Sequence, residues 1–250
     1  MMQGIRLVSV FLLAAGLVYA AEPLREEFHQ SYPLAATGRV SLANVNGSVR
    51  VSTWDKNEVK VDEVKTARSK EALKEAEIVV DARADAVEIR TKYPERSHGD
   101  REAANVDYTL TVPRGARLDS VKTVNGAVEI DGVMGEVQVA SVNGAVRTLR
   151  LAGAVALSTV NGRVEAEFER LEGKRISLKS VNGMVIVRVP QGAGMQLSAA
   201  TVHGNIESDF DLPVRKIGFG PGQSLKTAIG QGGVEVYLNT VNGSIRLQKR

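Results

Sequence analysis

Along much of the chain apolar and polar residues alternate with period two, and Val-Asn-Gly units interrupt the alternation at regular places. Alternation of this kind predicts half-buried β-strands, since a helix would repeat its apolar positions every three or four residues. The interrupting unit is Val-Asn-Gly-x-Val or a close variant. It recurs seven times: Val45 to Val49, Val124 to Val128, Val142 to Val146, Val160 to Val164, Val181 to Val185, Val202 to Ile206 and Val241 to Ile245. Steps of 18, 18, 21 and 21 residues separate Asn125, Asn143, Asn161, Asn182 and His203, and a longer step of 39 leads to Asn242. A repeat of this length predicts units that each bury their apolar face only by stacking on a neighbour.

Aligned on the Asn, the copies form columns. A hydroxyl stands two residues before it in six of seven copies (Thr123, Ser141, Thr159, Ser180, Thr201 and Thr240), with Asn44 in the other. Four residues before it lie Val121, Val139, Leu157, Leu178 and Leu238, and the smaller Ala199. Four residues after it the side chain is charged in six of seven: Arg50, Glu129, Arg147, Glu165, Glu207 and Arg246. Even positions face the core before the Asn and odd positions after it, which predicts a corner at each unit. The corner residues are Asn46-Gly47, Asn125-Gly126, Asn143-Gly144, Asn161-Gly162, Asn182-Gly183, His203-Gly204 and Asn242-Gly243. Asn and Gly tolerate positive φ, which suits them to such a corner. A lone Asn-Gly between strands also signals a two-residue hairpin. The identical Val before every Asn favours stacking instead, with like side chain over like, and predicts an Asn amide ladder up the corner.

The expected fold is all-β, a β-solenoid-like stack of 18- to 21-residue coils with an N-terminal β-rich cap carrying one short helix. The boundaries expected are a leader over residues 1–20, a lead-in over 21–36, the cap over 37–112 and the repeat region over 113–250. Within the cap, Glu58 to Val64, Ile78 to Lys92 and Asn105 to Val112 read as strands, and Ser69 to Ala76 as a helix with Ser69 as N-cap. The charged stretch Pro94 to Arg101 reads as a solvated loop.

Composition narrows the chemistry. The 250 residues contain no Cys, which excludes disulfides, thiolate metal sites, cysteine nucleophiles and a lipidated lipoprotein cysteine. A net charge of +3 gives no basic stripe for nucleic acid. Arg6, the apolar run Leu7 to Val18 and Val18-Tyr19-Ala20 match a Sec-type secretory leader cut after Ala20, which predicts a periplasmic or secreted protein with no transmembrane segment once the leader is removed.

Several motifs come close to known chemistry. Gly218 to Thr227 resembles a phosphate loop, but Leu225 stands where a Gly must precede Lys-Thr. His29, His98 and His203 have no partner at metal-ligand spacing, and His203 reads as a corner substitution. The carboxylates Glu129, Asp131, Glu165, Glu167, Glu169, Asp209 and Asp211 are the best case for a polysaccharide-cleaving face, with Trp54, Tyr93, Tyr108 and Tyr237 as candidate sugar platforms. Alternation of Glu129, Arg147 and Glu165 in successive coils instead suggests a salt-bridged, solvated face.

Gly38-Arg39-Val40-Ser41-Leu42, Val45-Asn46-Gly47, Trp54-Asp55, Tyr108 to Pro113 and the units ending at Thr240 to Ile245 together resemble the bacterial putative-adhesin family of tandem β-strand repeats, a domain of unknown function. The resemblance covers roughly Gly38 to Leu247. It implies an exported β-solenoid-like domain acting in adhesion or at the cell envelope, with no catalytic residues to carry over. The expectation is a non-enzymatic, adhesin-like protein without metal or cofactor, presenting a rigid surface to an envelope or surface protein or a glycan. The alternatives are a carbohydrate-binding or polysaccharide-cleaving solenoid and an envelope-stress signalling accessory.

Overall fold

The computed structural model describes residues 22–94, 103–172, 175–216 and 220–250. The expected leader, His98, most of the charged stretch 94–101 and part of the glycine-rich run at 218 lie outside them. Two large sheets face each other. Sheet I has ten strands, in the order Leu24–Pro33, Glu58–Ala67, Asn105–Pro113, Val49–Trp54, Val128–Asp131, Val146–Leu151, Val164–Phe168, Val185–Val189, Ile245–Lys249 and Ile206–Ser208. Sheet II has eleven: Arg215–Lys216, Gln223–Ile229, Met195–His203, Val234–Asn242, Arg175–Asn182, Val155–Asn161, Val137–Asn143, Arg117–Asn125, Arg39–Ala43, Ala86–Lys92 and Glu77–Arg83. Each coil supplies one strand to sheet II, turns at its Asn-Gly and supplies the next to sheet I.

Neighbouring coils pair in parallel, so the Asn-Gly is a corner and not a hairpin. Like residues lie over like. Val121, Val139, Leu157, Leu178, Leu238 and Ala199 run in register up the inner face of sheet II. Val49, Val128, Val146, Val164, Val185, Ile245 and Ile206 do the same in sheet I. All are buried. At roughly 1.5 to 3 kcal/mol per buried aliphatic side chain, these columns supply most of the driving force, but only to a coil that has a neighbour.

The stack does not follow chain order. The last coil, Val234–Asn242 with Ile245–Lys249, lies between the coil ending at Asn182 and the coil ending at His203. Residues 195–208 pass over the place that the C-terminus later fills. The 39-residue step holds the strand Gln223–Ile229, which pairs antiparallel with Met195–His203 and covers that end, placing Leu225 beside the small Ala199.

The N-terminal end is closed by antiparallel strands. Residues 24–33, part of the expected lead-in, form a ten-residue edge strand on Glu58–Ala67. The stretch expected as one strand over Ile78 to Lys92 is a hairpin of Glu77–Arg83 and Ala86–Lys92. The helix Lys70–Glu75 joins the two sheets, capped where the Ser69 hydroxyl accepts from the Ala72 amide at 3.1 Å, and it buries Ala72 and Leu73. A buried polar cluster lies in this cap. Tyr108 and Thr91 share a 2.7 Å hydroxyl bond, and Glu63, 4% exposed, sits across from Tyr108 with Oε2 lacking a partner. Burial pushes the Glu63 carboxyl up to about 7, offset in part by the Lys65 ammonium, and burial also raises the hydroxyls of Tyr108 and Tyr32, which Glu63 faces.

The corner glycines have a physical role that differs from the one expected. No Asn in the described corners has positive φ, and among corner glycines only Gly47 (φ 123°) and Gly204 (φ 158°) do. A Cβ on Gly126, Gly144, Gly162, Gly183, Gly243 or Gly204 would instead run into the carbonyl of the adjacent corner glycine. Close approach of backbones is the requirement.

Two predictions follow from this packing. Gly144→Ala should lower the unfolding free energy in urea by about 1 to 3 kcal/mol through overpacking, whereas Gly192→Ala, where an added Cβ meets no atom within 4 Å, should change it little. For Glu63 the folded-state pKa is raised, so its contribution is present below about 4.5 and is lost as pH rises through about 7. Glu63→Gln should therefore gain about 2 to 3 kcal/mol over the parent at pH 8 and almost nothing at pH 4, measured by denaturant unfolding across that range.

Candidate functional site

Neighbouring corners are tied by three kinds of hydrogen bond, the third of them joining only the asparagines. The glycine N–H donates to the adjacent coil's Asn (or His203) carbonyl, from Gly47 to Asn125 at 2.9 Å through Gly243 to His203 at 3.0 Å. The buried hydroxyl two residues before the Asn donates to the neighbouring glycine carbonyl: Ser141 to Gly126 at 3.2 Å, Thr159 to Gly144 and Ser180 to Gly162 at 2.9 Å, Thr240 to Gly183 and Thr201 to Gly243 at 2.8 Å. That bond explains the hydroxyl column, because a buried carbonyl left without a partner would cost about 1 to 3 kcal/mol. In the first coil Asn44 fills the position and donates to the Val106 carbonyl at 2.8 Å.

The third kind is a chain of side-chain amides. Asn125 Nδ2 donates to Asn46 Oδ1, Asn143 to Asn125, Asn161 to Asn143, Asn182 to Asn161 and Asn242 to Asn182, all at 2.8 to 2.9 Å. His203 stands at the end of this column, in register with Asn242. The reversed coil order thus keeps six amides contiguous.

The Val before each Asn points out. Val45, Val124, Val142, Val160, Val181, Val241 and Val202 are 36% to 52% exposed, so the like-over-like column expected from the sequence lies on the outer surface. They form a continuous apolar ridge along the outside of sheet II. Two positions further from the corner runs a column of mostly small side chains in register: Ala43, Lys122, Ala140, Ser158, Lys179, Asn239 and Ala200. The next outward column holds Ser120, Gln138, Ala156, Ser177, Tyr237 and Ser198. Over these coils the columns contain no carboxylate and Lys122 and Lys179 are their cations, while the flanking strands continue the register to Arg90 and Glu88 at one end and Lys226 at the other. Two concavities open here. One of about 250 Å³ is floored by Ala140, Ala156 and Ser158 between Lys122 and Lys179, and one of about 490 Å³ lies against Val160, Val181, Val202 and Val241.

Sheet I presents the opposite chemistry. Its outer columns carry Arg50 beside Glu129 at 3.6 Å, Arg246 on Glu207 at 2.8 Å, Arg250 on Glu167 at 3.2 Å, Arg150 on Asp131 at 2.5 Å, and the Arg188–Glu165 pair. Asp209 Oδ2 accepts from the Lys249 amide at 3.0 Å. Most of the carboxylates considered for catalysis are therefore engaged with cations or backbone. Among the described residues no group of His, Asp and Glu is arranged to hold a metal. His29 lies on the edge strand, 2.6 Å from Asp62, far in sequence from His203 at the other end of the stack.

The candidate aromatics do not assemble into a platform. Tyr108 is fully buried, the Tyr93 hydroxyl donates to the Ala104 carbonyl with its pKa pushed up by burial to about 12, and Trp54 donates to the Glu58 carbonyl. Tyr237 lies on sheet II with the Arg175 guanidinium 4.8 Å above its ring. The valine-ridged face itself was missed in the sequence. Its signal was present, since the Val is one position out of phase with the inward hydroxyl.

The model of the Toastrack DUF4097 family matches residues 34–248. A putative cell adhesion protein from Clostridium sporogenes ATCC 15579 superposes with a TM-score of 0.54 at 12% identity, covering 92% of this chain and 100% of that one. A putative adhesin from Bacteroides fragilis NCTC 9343 gives 0.45 at 10% identity, over 90% and 97%. No curated protein matches this chain. Among the described residues no helix is long and apolar enough to cross a membrane.

Replacing one rung of the amide ladder tests its worth. Asn143→Val removes the bonds to Asn125 and from Asn161 and should cost about 1 to 2 kcal/mol in urea unfolding, with the parallel stack retained by circular dichroism.

Proposed function

The chain belongs to the Toastrack DUF4097 family, and from that premise we propose that it is an exported, non-catalytic, adhesin-like scaffold whose valine-ridged sheet II face receives a partner at the cell envelope or surface. The observation that carries this reading is the contrast between the two faces. Sheet I covers itself with paired charges, which leaves it well solvated. Sheet II exposes a ridge of seven valines beside small uncharged side chains, an apolar surface of the kind that marks interaction sites on soluble domains. Rigidity supports the reading as well, since corner bonds and register hold the face in one shape with little ordering cost on binding. The Arg6 to Ala20 pattern supports export. Engagement of the sheet I carboxylates supports a role without turnover.

The test uses a photo-crosslinking residue placed at position 160 or, on the opposite face, at position 147, in intact cells. A discrete adduct from 160 and none from 147 is the expected result, with Ala21 as the N-terminus of the recovered protein. Adducts equally frequent from both positions, or an uncleaved N-terminus, would overturn the reading.

A further inference from the structure

We infer that the partner element seated on the sheet II face is an amphipathic α-helix carrying acidic residues beside its apolar stripe, lying along the stack and across the strands. This rests on the proposed role of that face and adds the chemistry of what it takes. Three features of the face select the occupant.

The first is hydrogen bonding. Every strand in the middle of the face is paired on both sides, so its backbone has nothing to offer a peptide laid on top. An extended segment would leave its own amides facing valines without partners, whereas a helix satisfies its backbone internally. The second is shape. The Val ridge and the outer Ser/Gln/Ala column are four residues apart along each strand, about 13 Å, and a helix with its side chains is about 10 to 12 Å across. Along the stack the coils repeat at about 4.8 Å, close to the helical pitch of about 5.4 Å and well short of the roughly 6.7 Å two-residue repeat of an extended chain. Side chains one turn apart can therefore drop between successive valines over three or four coils.

The third feature is charge. Lys122 and Lys179 stand in one register column three coils apart, about 14 Å, and no carboxylate shares the three columns over the coils between them. With the reach of a lysine side chain, that spacing suits carboxylates two to three helical turns apart on one flank, at i and i+7 or i+11. The same lysines disfavour a second copy of this chain. A two-fold axis near the middle of the stack would bring Lys122 of one copy toward Lys179 of the other. A glycan is disfavoured by the absence of an open aromatic platform, since Tyr237 is covered by Arg175.

The test is fluorescence anisotropy of the full mature chain with a labelled 18-residue synthetic helix. The probe carries Leu at i, i+3, i+4 and i+7 spacing and two flanking Glu eleven residues apart. Saturable binding is expected, weakened at least tenfold by Ser158→Glu on the valley floor and by the Lys122→Glu/Lys179→Glu pair. That pair should recover binding when the two Glu of the probe are replaced by Lys. Unchanged thermal unfolding of these surface variants establishes that the fold is intact. No binding, or binding indifferent to both variants, overturns the helical partner. Should an acidic polysaccharide or self-association, followed by NMR, perturb the Val160 and Val181 methyls where the helix does not, the face stands as a binding site and the helix is wrong. Should ligands perturb only sheet I, both readings fall.

Discussion

Backbone approaches backbone at the corner of each coil, and the rest of the molecule depends on that closeness. A glycine without Cβ lets its neighbour's carbonyl come into contact, and that carbonyl must then find a donor inside the protein. The hydroxyl two residues before the Asn supplies it, while the Asn amide ties the outer rim of the same corner. Glycine, hydroxyl and amide act as one device, repeated until the column ends.

The order of the coils keeps that device continuous. His203 takes the outermost place in its column, with the C-terminal coil inserted below it, and the six asparagines remain in an unbroken chain of amides. The end coil is tapered to match, with Ala199 where the interior coils carry Val or Leu, and a flanking antiparallel strand supplies Leu225. At the opposite end two antiparallel strand pairs and the short helix close the stack. Antiparallel strands thus end sheet II at both ends and sheet I at the N-terminal end, where parallel edges would otherwise recruit further chains.

Because the corners hold every coil in register, each outward position becomes a line of repeated chemistry. On sheet I the lines alternate in sign and neutralise themselves. On sheet II they give a valine ridge, a floor of small residues and two isolated lysines. A repeat that needs only Gly, a hydroxyl, Asn and inward aliphatics leaves these outer lines free to vary, and the one outer position that does not vary is the Val. Since the core does not require it, the constancy of that residue points to the surface it builds.

Much of this could be read from the chain alone. Alternation with period two marked the strands, the seven Val-Asn-Gly units marked the corners, and the inward Val and Leu columns marked a stack of coils, because these are local patterns that depend on which side of a strand a residue faces. The amide ladder was legible for the same reason, since identical residues at a coil's spacing fall over one another. What only the tertiary structure decided was vertical order and approach. Nothing local tells residues 195–208 to leave a gap that residues 234–249 will fill, since that choice lies in hydrogen bonds between segments some 40 to 60 residues apart. Nor does local propensity distinguish a glycine needed for its φ from one needed for the carbonyl pressed against it. That is settled by the neighbouring coil, whose position is a property of the stack as a whole.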